Sequence, residues 1–313
     1  MTSSSRIDQG GPPDQVNETD KYRSEKGEQR MSDLQKVAQE KSVLRWGGLA
    51  GILGGILFIV VWAIVGFGPV GLEPVEPAEE VMRFPEIRTA RIVENGLYLT
   101  VLVLWVIHFL ALYRALRGTS LAPALFGSAL GILGLVMLVA GALPHVATDP
   151  ISDFYHAPGA TAGDQATLDL LWQATMGIIE MLLVTGLVIL PTGLIALGVA
   201  MFGAPAFGKG FGGVSVVLGV LGGAAGVVVL IDPGSLIAGV GMLTLIVFHL
   251  VLGWKVYSRS RAPQGVLKIE ERANSSTARR EEGLGIKASA LLLALIHPSA
   301  WNRNSANFAV SDL

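Results

Sequence analysis

Long runs that are apolar on every side alternate along this chain with short polar connections, a pattern unlike the one-sided stripe of a soluble helix or the alternation of a half-buried strand. Six runs reach the roughly 20 residues needed to cross a hydrocarbon core of about 30 Å: residues 47–68, 93–113, 121–143, 172–201, 214–231 and 236–256. An unpaired backbone amide in lipid costs several kcal/mol, so each run must be a helix or part of a closed barrel. Barrel strands would alternate polar and apolar over about ten residues, and these runs do not. The pattern predicts an all-α membrane protein, a bundle of about six transmembrane helices.

Basic residues at the run ends predict the orientation. Arg30, Lys36, Lys41 and Arg45 precede the first run, Arg114 and Arg117 follow the second, Lys209 follows the fourth, and Lys255, Arg259 and Arg261 close the sixth. No Lys or Arg occurs between residues 122 and 206. The positive-inside rule then places both termini in the cytoplasm. The first connection opposes the trend with Arg83, Arg88 and Arg91, but it also carries Glu73, Glu76, Glu79, Glu80 and Glu86. A long connection, residues 144–171, is expected on the extracytoplasmic side.

The polar flanks set the domain plan. Residues 1–30 contain almost nothing to bury and are predicted to be a disordered tail. Ser32 with Gln35 forms a capping-box pattern that opens a short cytoplasmic helix over 31–46, and Met31, just before it, is an alternative start. The 46 polar residues hold no cleavable signal core, so the first run is expected to act as an uncleaved anchor. The six-span domain covers 47–257, and a cytoplasmic tail covers 258–313. Within that tail the apolar stretch 288–296 is too short to span and is expected to lie on the membrane surface or against the bundle.

Composition narrows the function classes. Apolar residues make up 51% of the chain and charged residues 15%, and the charges sit mainly in the tails and one loop, a distribution no soluble domain tolerates. Absence of cysteine removes disulfides, thiolate metal sites and a Cys nucleophile. With a net charge of −2 and no aromatic-basic patch, no nucleic-acid partner is expected, and no cofactor is predicted. The expected partner is the lipid bilayer. Small residues at four-residue spacing (Gly47, Gly51, Gly55; Gly127, Gly131; Ser215, Gly219, Gly223) predict close helix packing within the bundle, or with a second copy or another membrane protein.

Three constellations carry candidate chemistry. Glu180 lies about a third of the way into the fourth run, where an acid by default faces the bundle interior and pairs or takes up a proton. Gln173, Glu180 and Pro191 share one helical stripe, and Pro191 frees the Leu187 carbonyl on it; Asn95 is a candidate partner for the acid. His108 and His249 are each followed by an aromatic residue five positions on and a basic residue six on, so they are expected at one depth, roughly 8 Å from the inner interface. Such a pair suits a proton relay or a metal. In the 144–171 connection, His145, Asp149, Asp153, His156 and Asp164 offer imidazole and carboxylate ligands with no cation beside them in sequence, while Pro144, Pro150 and Pro158 predict irregular backbone. The run Gly203 to Gly210 imitates a phosphate-binding loop, but Gly210 follows Lys209 where a Ser or Thr is needed.

The stretch Phe84-Pro-Glu-Ile-Arg-Thr-Ala-Arg-Ile-Val-Glu-Asn95-Gly-Leu-Tyr, then an apolar run ending Ala111-Leu-Tyr113-Arg114, resembles a family of prokaryotic multispanning membrane proteins of unknown function. The resemblance covers about residues 45–260. It implies a six-helix plasma-membrane protein and carries no functional residue. Two functional readings follow from the residues: a small-solute or proton-coupled transporter using Glu180, or a non-transporting partner-binding or regulatory subunit. A membrane-embedded enzyme using the histidines and loop carboxylates stands third.

Overall fold

The computed structural model describes residues 14–68, 77–232 and 235–261. These form seven α-helices: α1 (Asp14–Phe67), α2 (Pro77–Leu116), α3 (Leu121–Ala142), α4 (His145–Tyr155), α5 (Ala162–Phe202), α6 (Gly208–Ile231) and α7 (Ala238–Ser260). No strand occurs among the described residues. All but α4 are long and apolar enough to cross a bilayer, giving the six spans of a multi-pass membrane protein. The apolar stretch 288–296 lies outside the described residues.

The six long helices close a ring. Neighbours pack in the order α1, α2, α3, α5, α6, α7 and back to α1, and α2 also reaches α5 and α7 across the middle. The ring interior holds Trp105, Phe109, Leu135, Leu190, Leu194, Phe248 and Leu252, all buried. Its outer surface is equally apolar: Leu53, Ile56, Val103, Leu133, Val199, Val217 and Leu243 are exposed, as a lipid-facing surface requires.

Glycine brings the backbones together. A methyl group on Gly193 of α5 would lie 2.6 Å from the Gly131 amide nitrogen and 2.7 Å from the Gly127 carbonyl of α3. On Gly48 of α1 it would lie 2.5 Å from the Tyr257 nitrogen of α7. On Gly226 of α6 it would lie 2.7 Å from the Leu187 carbonyl, the group that Pro191 leaves without its helical donor. The predicted small-residue stripes therefore pack inside the chain.

One end of the ring carries a second, smaller core. Val81, Phe84 and Ile87 of α2, Ile151 of α4 and Trp172 of α5 are buried together, with the Phe84 and Trp172 rings edge to face at 5.2 Å. The Trp172 indole N–H donates to Glu80 at 3.2 Å. Arg88 ties α2 to α4, its Nε and Nη2 each 2.6 Å from Asp149 and Asp153 respectively. The first halves of α2 and α5 thus continue beyond the apolar ring and, with α4, form a three-helix cap. The ring's other end, where α2 ends and α6 begins, carries Arg114, Arg117, Lys209, Lys255 and Arg259; it is called the basic end below.

Several boundaries differ from the sequence reading. Disorder was expected over residues 1–30; residues 1–13 lie outside the described residues, while 14–30 are helical, α1 beginning at Asp14, so Ser32 sits inside a helix instead of capping one. Residues 14–45 are rich in Glu, Lys, Gln and Arg, good helix formers, and a helix already nucleated by the apolar run extends through them at little cost. Irregular backbone was expected around the prolines, yet α4 forms, with Pro144 at its N-cap and Pro150 inside it but exposed. The Pro144 position needs no backbone donor.

Gly193→Ala should lower the thermal stability of the detergent-purified protein by about 1 to 3 kcal/mol, because the added methyl meets backbone that has no side-chain end to swing away. Gly177→Ala is the control: it faces open space, and a helical Gly costs about 1 kcal/mol relative to Ala, so its melting temperature should hold or rise. Equal losses at both positions would contradict the packing described.

Candidate functional site

The switch from small to large residues along α1 shapes the ring interior. Gly47, Gly51, Gly54 and Gly55 let α1 lie against α2 and α7 toward the basic end. Toward the cap the same helix presents Phe58, Val61, Trp62 and Val65, which hold its neighbours apart. The result is a cavity of about 170 Å³. Glu94, Asn95 and Tyr98 of α2, His145 of α4, Ala142, Leu183 and Met242 complete its wall.

The polar atoms of this wall are few and well placed. Glu94 accepts from Arg91 Nη1 at 3.0 Å, a pair only 21% and 15% exposed, which fixes the carboxylate at the cavity rim. The Tyr98 hydroxyl is buried and has no hydrogen-bond partner among the described residues. Its ring lies 6.0 Å from Phe58. A mostly apolar chamber with one carboxylate, one amide, one free hydroxyl and one imidazole has the make-up of a small-ligand site.

Below the cavity lies a buried aromatic cluster that contains both expected histidines. Phe58 meets Trp105 edge to face at 5.0 Å, and Trp105 stacks on His249 at 4.0 Å with planes only 7° apart. The His249 and His108 rings are 5.2 Å apart. His108 Nδ1 is 2.9 Å from the Gly47 carbonyl, near the basic end. Phe109 and Phe248 pack around the pair. His108 Nε2, both ring nitrogens of His249 and Trp105 Nε1 are buried without a hydrogen-bond partner.

Glu180 is corrected. It is exposed on the outside of α5 and makes no hydrogen bond or ion pair among the described residues, while Gln173, on the same face, donates to Asp169 at 3.2 Å. The charge-free part of α5 after Glu180 is residues 181–202, roughly 33 Å at 1.5 Å per residue and by itself long enough to cross a bilayer, so a crossing does not require Glu180 to lie at depth. The buried stripe of the upper helix is instead Trp172, Thr175 and Ile179. Pro191 is buried against Gly222 of α6. Asn95 reaches the cavity and does not meet Glu180.

The connecting-loop ligands scatter. Asp149 and Asp153 pair with Arg88, a cation that sequence distance concealed. His156 Nδ1 lies 2.8 Å from the Ser152 carbonyl. Asp164 caps α5: the Thr161 hydroxyl and then the Thr161 amide hold its carboxyl below the usual carboxylate range. No group of three or more His, Cys, Asp or Glu suited to a metal occurs among the described residues.

Sequence reasoning missed Glu94, Tyr98 and Trp105. The seven-residue spacing of Tyr98 and Trp105, continued by His108 and Phe109, puts all four on one face of α2 and was the available signal. Comparisons with protein-family models, curated proteins and solved structures give no match. The site is therefore read from its own geometry.

Glu180→Leu should leave thermal stability within about 0.5 kcal/mol of the parent, as an exposed substitution with no partner to strand does. A loss of about 1 to 3 kcal/mol in the same melt would mean that the acid holds a buried partner.

Proposed function

We propose that this chain is a small-solute carrier whose cavity, at the cap end of the ring, faces away from the cytoplasm. The observation that carries the reading is the chamber itself: polar groups of α2 and α4 converge inside a ring whose core is mostly apolar. A chamber near 170 Å³ accommodates a solute of about benzene size, since an engineered cavity of roughly 150 Å³ takes up benzene. Its walls suit a small amphipathic solute with the apolar body against Phe58, Trp62 and Leu183. The head would bond Asn95, Tyr98 and the Glu94 carboxylate. Glu94 thereby takes the role that the sequence assigned to Glu180. Pro191 leaves α5 one backbone bond short at Leu187, which makes that level the place where α5 can bend.

Orientation rests on the basic residues gathered at the far end of the ring, which the positive-inside rule assigns to the cytoplasm. In this cysteine-free chain, a single cysteine at Asp164 should react with an impermeant thiol reagent applied to intact cells, and one at Lys209 should not. The reverse pattern would invert the proposal.

Solute binding is tested at Tyr98. A panel of small amines, amino alcohols and neutral amphipaths is screened for stabilisation of the purified protein, and each hit is repeated on Tyr98→Phe. The substitution removes a buried hydroxyl without a partner, so the empty protein should melt at the same temperature or higher. The hit should bind several-fold more weakly, matching loss of one hydrogen bond worth about 0.5 to 1.5 kcal/mol. If no panel member stabilises the parent, or if the hits bind Tyr98→Phe equally well, the cavity is not the site.

A further inference from the structure

Positive charge gathers at the basic end of the ring with no carboxylate on the same helix ends. No Asp or Glu occurs over residues 95–148, 181–231 or 233–269, which include the ends of α2, α5 and α7 and the starts of α3 and α6. Arg114, Arg117, Lys209 and Lys255 accordingly make no ion pair among the described residues. The cap differs: Arg88 pairs there with Asp149 and Asp153, and Arg91 with Glu94. The polar flanks add no net negative charge, since residues 14–45 hold seven residues of each sign and residues 262–313 hold six basic and five acidic ones.

A solvated surface cation needs no partner, but at the seam of α6 and α7 the cations are held in place. Lys255 of α7 lays its Nζ over the Phe211 ring of α6, 5.0 Å from the centroid, and Arg259, one turn on, lays its guanidinium over Phe207 at 5.4 Å. Phe207 is buried, and Phe211, Lys255 and Arg259 are half-buried. A long basic side chain loses rotamer freedom when it binds an anion, and contact with a ring has already removed part of that freedom here. Lys209 stands exposed in the first turn of α6, two residues before Phe211. On either side of it a methyl group at Gly208 or Gly210 would meet nothing within 4 Å, so the turn is open to a ligand.

We infer that the seam between the start of α6 and the end of α7 binds the phosphate of an anionic phospholipid, with Lys209 and Lys255 as its cationic partners. Ammonium groups hold phosphate oxygens through charge-assisted N–H···O bonds. Position favours a lipid over a free anion. The seam closes helices of bilayer length, and Trp46 and Trp254, both exposed near the same end, are residues typical of the headgroup level. Val214, one turn along α6 from Phe211, is exposed and begins an apolar surface on which an acyl chain can lie. A soluble acidic partner has no counterpart for that apolar continuation. A zwitterionic headgroup carries its own ammonium, which the lysines and Arg259 repel, so a headgroup of net negative charge is preferred. This site depends on neither the cavity nor the carrier reading.

The test is native mass spectrometry of the full chain released from detergent, with phosphatidylglycerol or phosphatidylcholine of the same acyl chains added. One phosphatidylglycerol should be retained with several-fold higher affinity than phosphatidylcholine, and it should raise the melting temperature in detergent where phosphatidylcholine does not. Lys209→Gln with Lys255→Gln should abolish the difference, and Lys255→Arg should keep it. Arg114→Gln with Arg117→Gln removes equal charge from the same end on the α2 to α3 side of the ring, and should also keep it. If the first pair fails to melt cooperatively, Lys209→Gln alone, at an exposed position, should still lower the preference. Equal affinity of the parent for both lipids would overturn the inference, a result that requires no variant to fold. Equal losses in the two double variants would overturn it as well, because they would mean diffuse attraction to the whole basic end. So would stabilisation by inorganic phosphate to the same degree as by phosphatidylglycerol, the mark of a free-anion site.

Discussion

Close backbone approach between neighbouring helices is the constraint on which the rest of this structure depends. Lipid tails are as apolar as leucine, so burying leucine against leucine does little to hold two membrane helices together. Contact has to come from shape. At Gly48, Gly127, Gly193 and Gly226 the facing backbone already occupies the place a side chain would take, and these contacts close the ring at three of its seams, α1 to α7, α3 to α5 and α5 to α6. Where glycine ends, the ring opens: α1 changes from Gly54 and Gly55 to Phe58 and Trp62 within two turns, and the cavity begins at that level.

The same change separates two chemical zones along α2. Toward the cap, Glu94, Asn95 and Tyr98 line a chamber large enough for a small solute. Two to three turns further on, Trp105, His108 and Phe109 belong to a buried, packed column. The cap gives α2 and α5 a reason to extend past the apolar ring: its small core and the Arg88 ion pairs hold α4 against α2 and α5, and α4 in turn delivers His145 to the chamber. Fold and site are thus linked through α4, the one helix among the described residues that is too short to span.

Much of the fold was legible in the sequence because lipid imposes length and apolarity directly on it. All six spanning segments were found by those two criteria. Helix ends were not, since hydropathy reports the part of a helix that meets lipid and is silent on charged extensions such as residues 77–95 of α2. Glu180 was misplaced for that reason: Trp172 and its apolar neighbours looked like the start of the span, although they form the core of the cap. His108 and His249 were legible as a pair because equal distances to aromatic and basic exits set equal depths. Glu94 and Tyr98 were not legible as cavity residues, because a cavity is created by what α1 places opposite them, and one sequence read along its length does not show which residues stand opposite.

The most direct test of the account is water accessibility along the ring axis. Single cysteines at Ala142 and Met242, on the cavity wall, and at Leu190 and Phe248, in the packed half, can be compared for reaction with a small charged methanethiosulfonate in detergent-purified protein that still melts cooperatively. The account predicts reaction at Ala142 and Met242, protection of both by any solute that stabilises the protein, and no reaction at Leu190 or Phe248. Inert cysteines at Ala142 and Met242, or uniform reaction at all four positions, would contradict a ring that is open at one end and closed at the other.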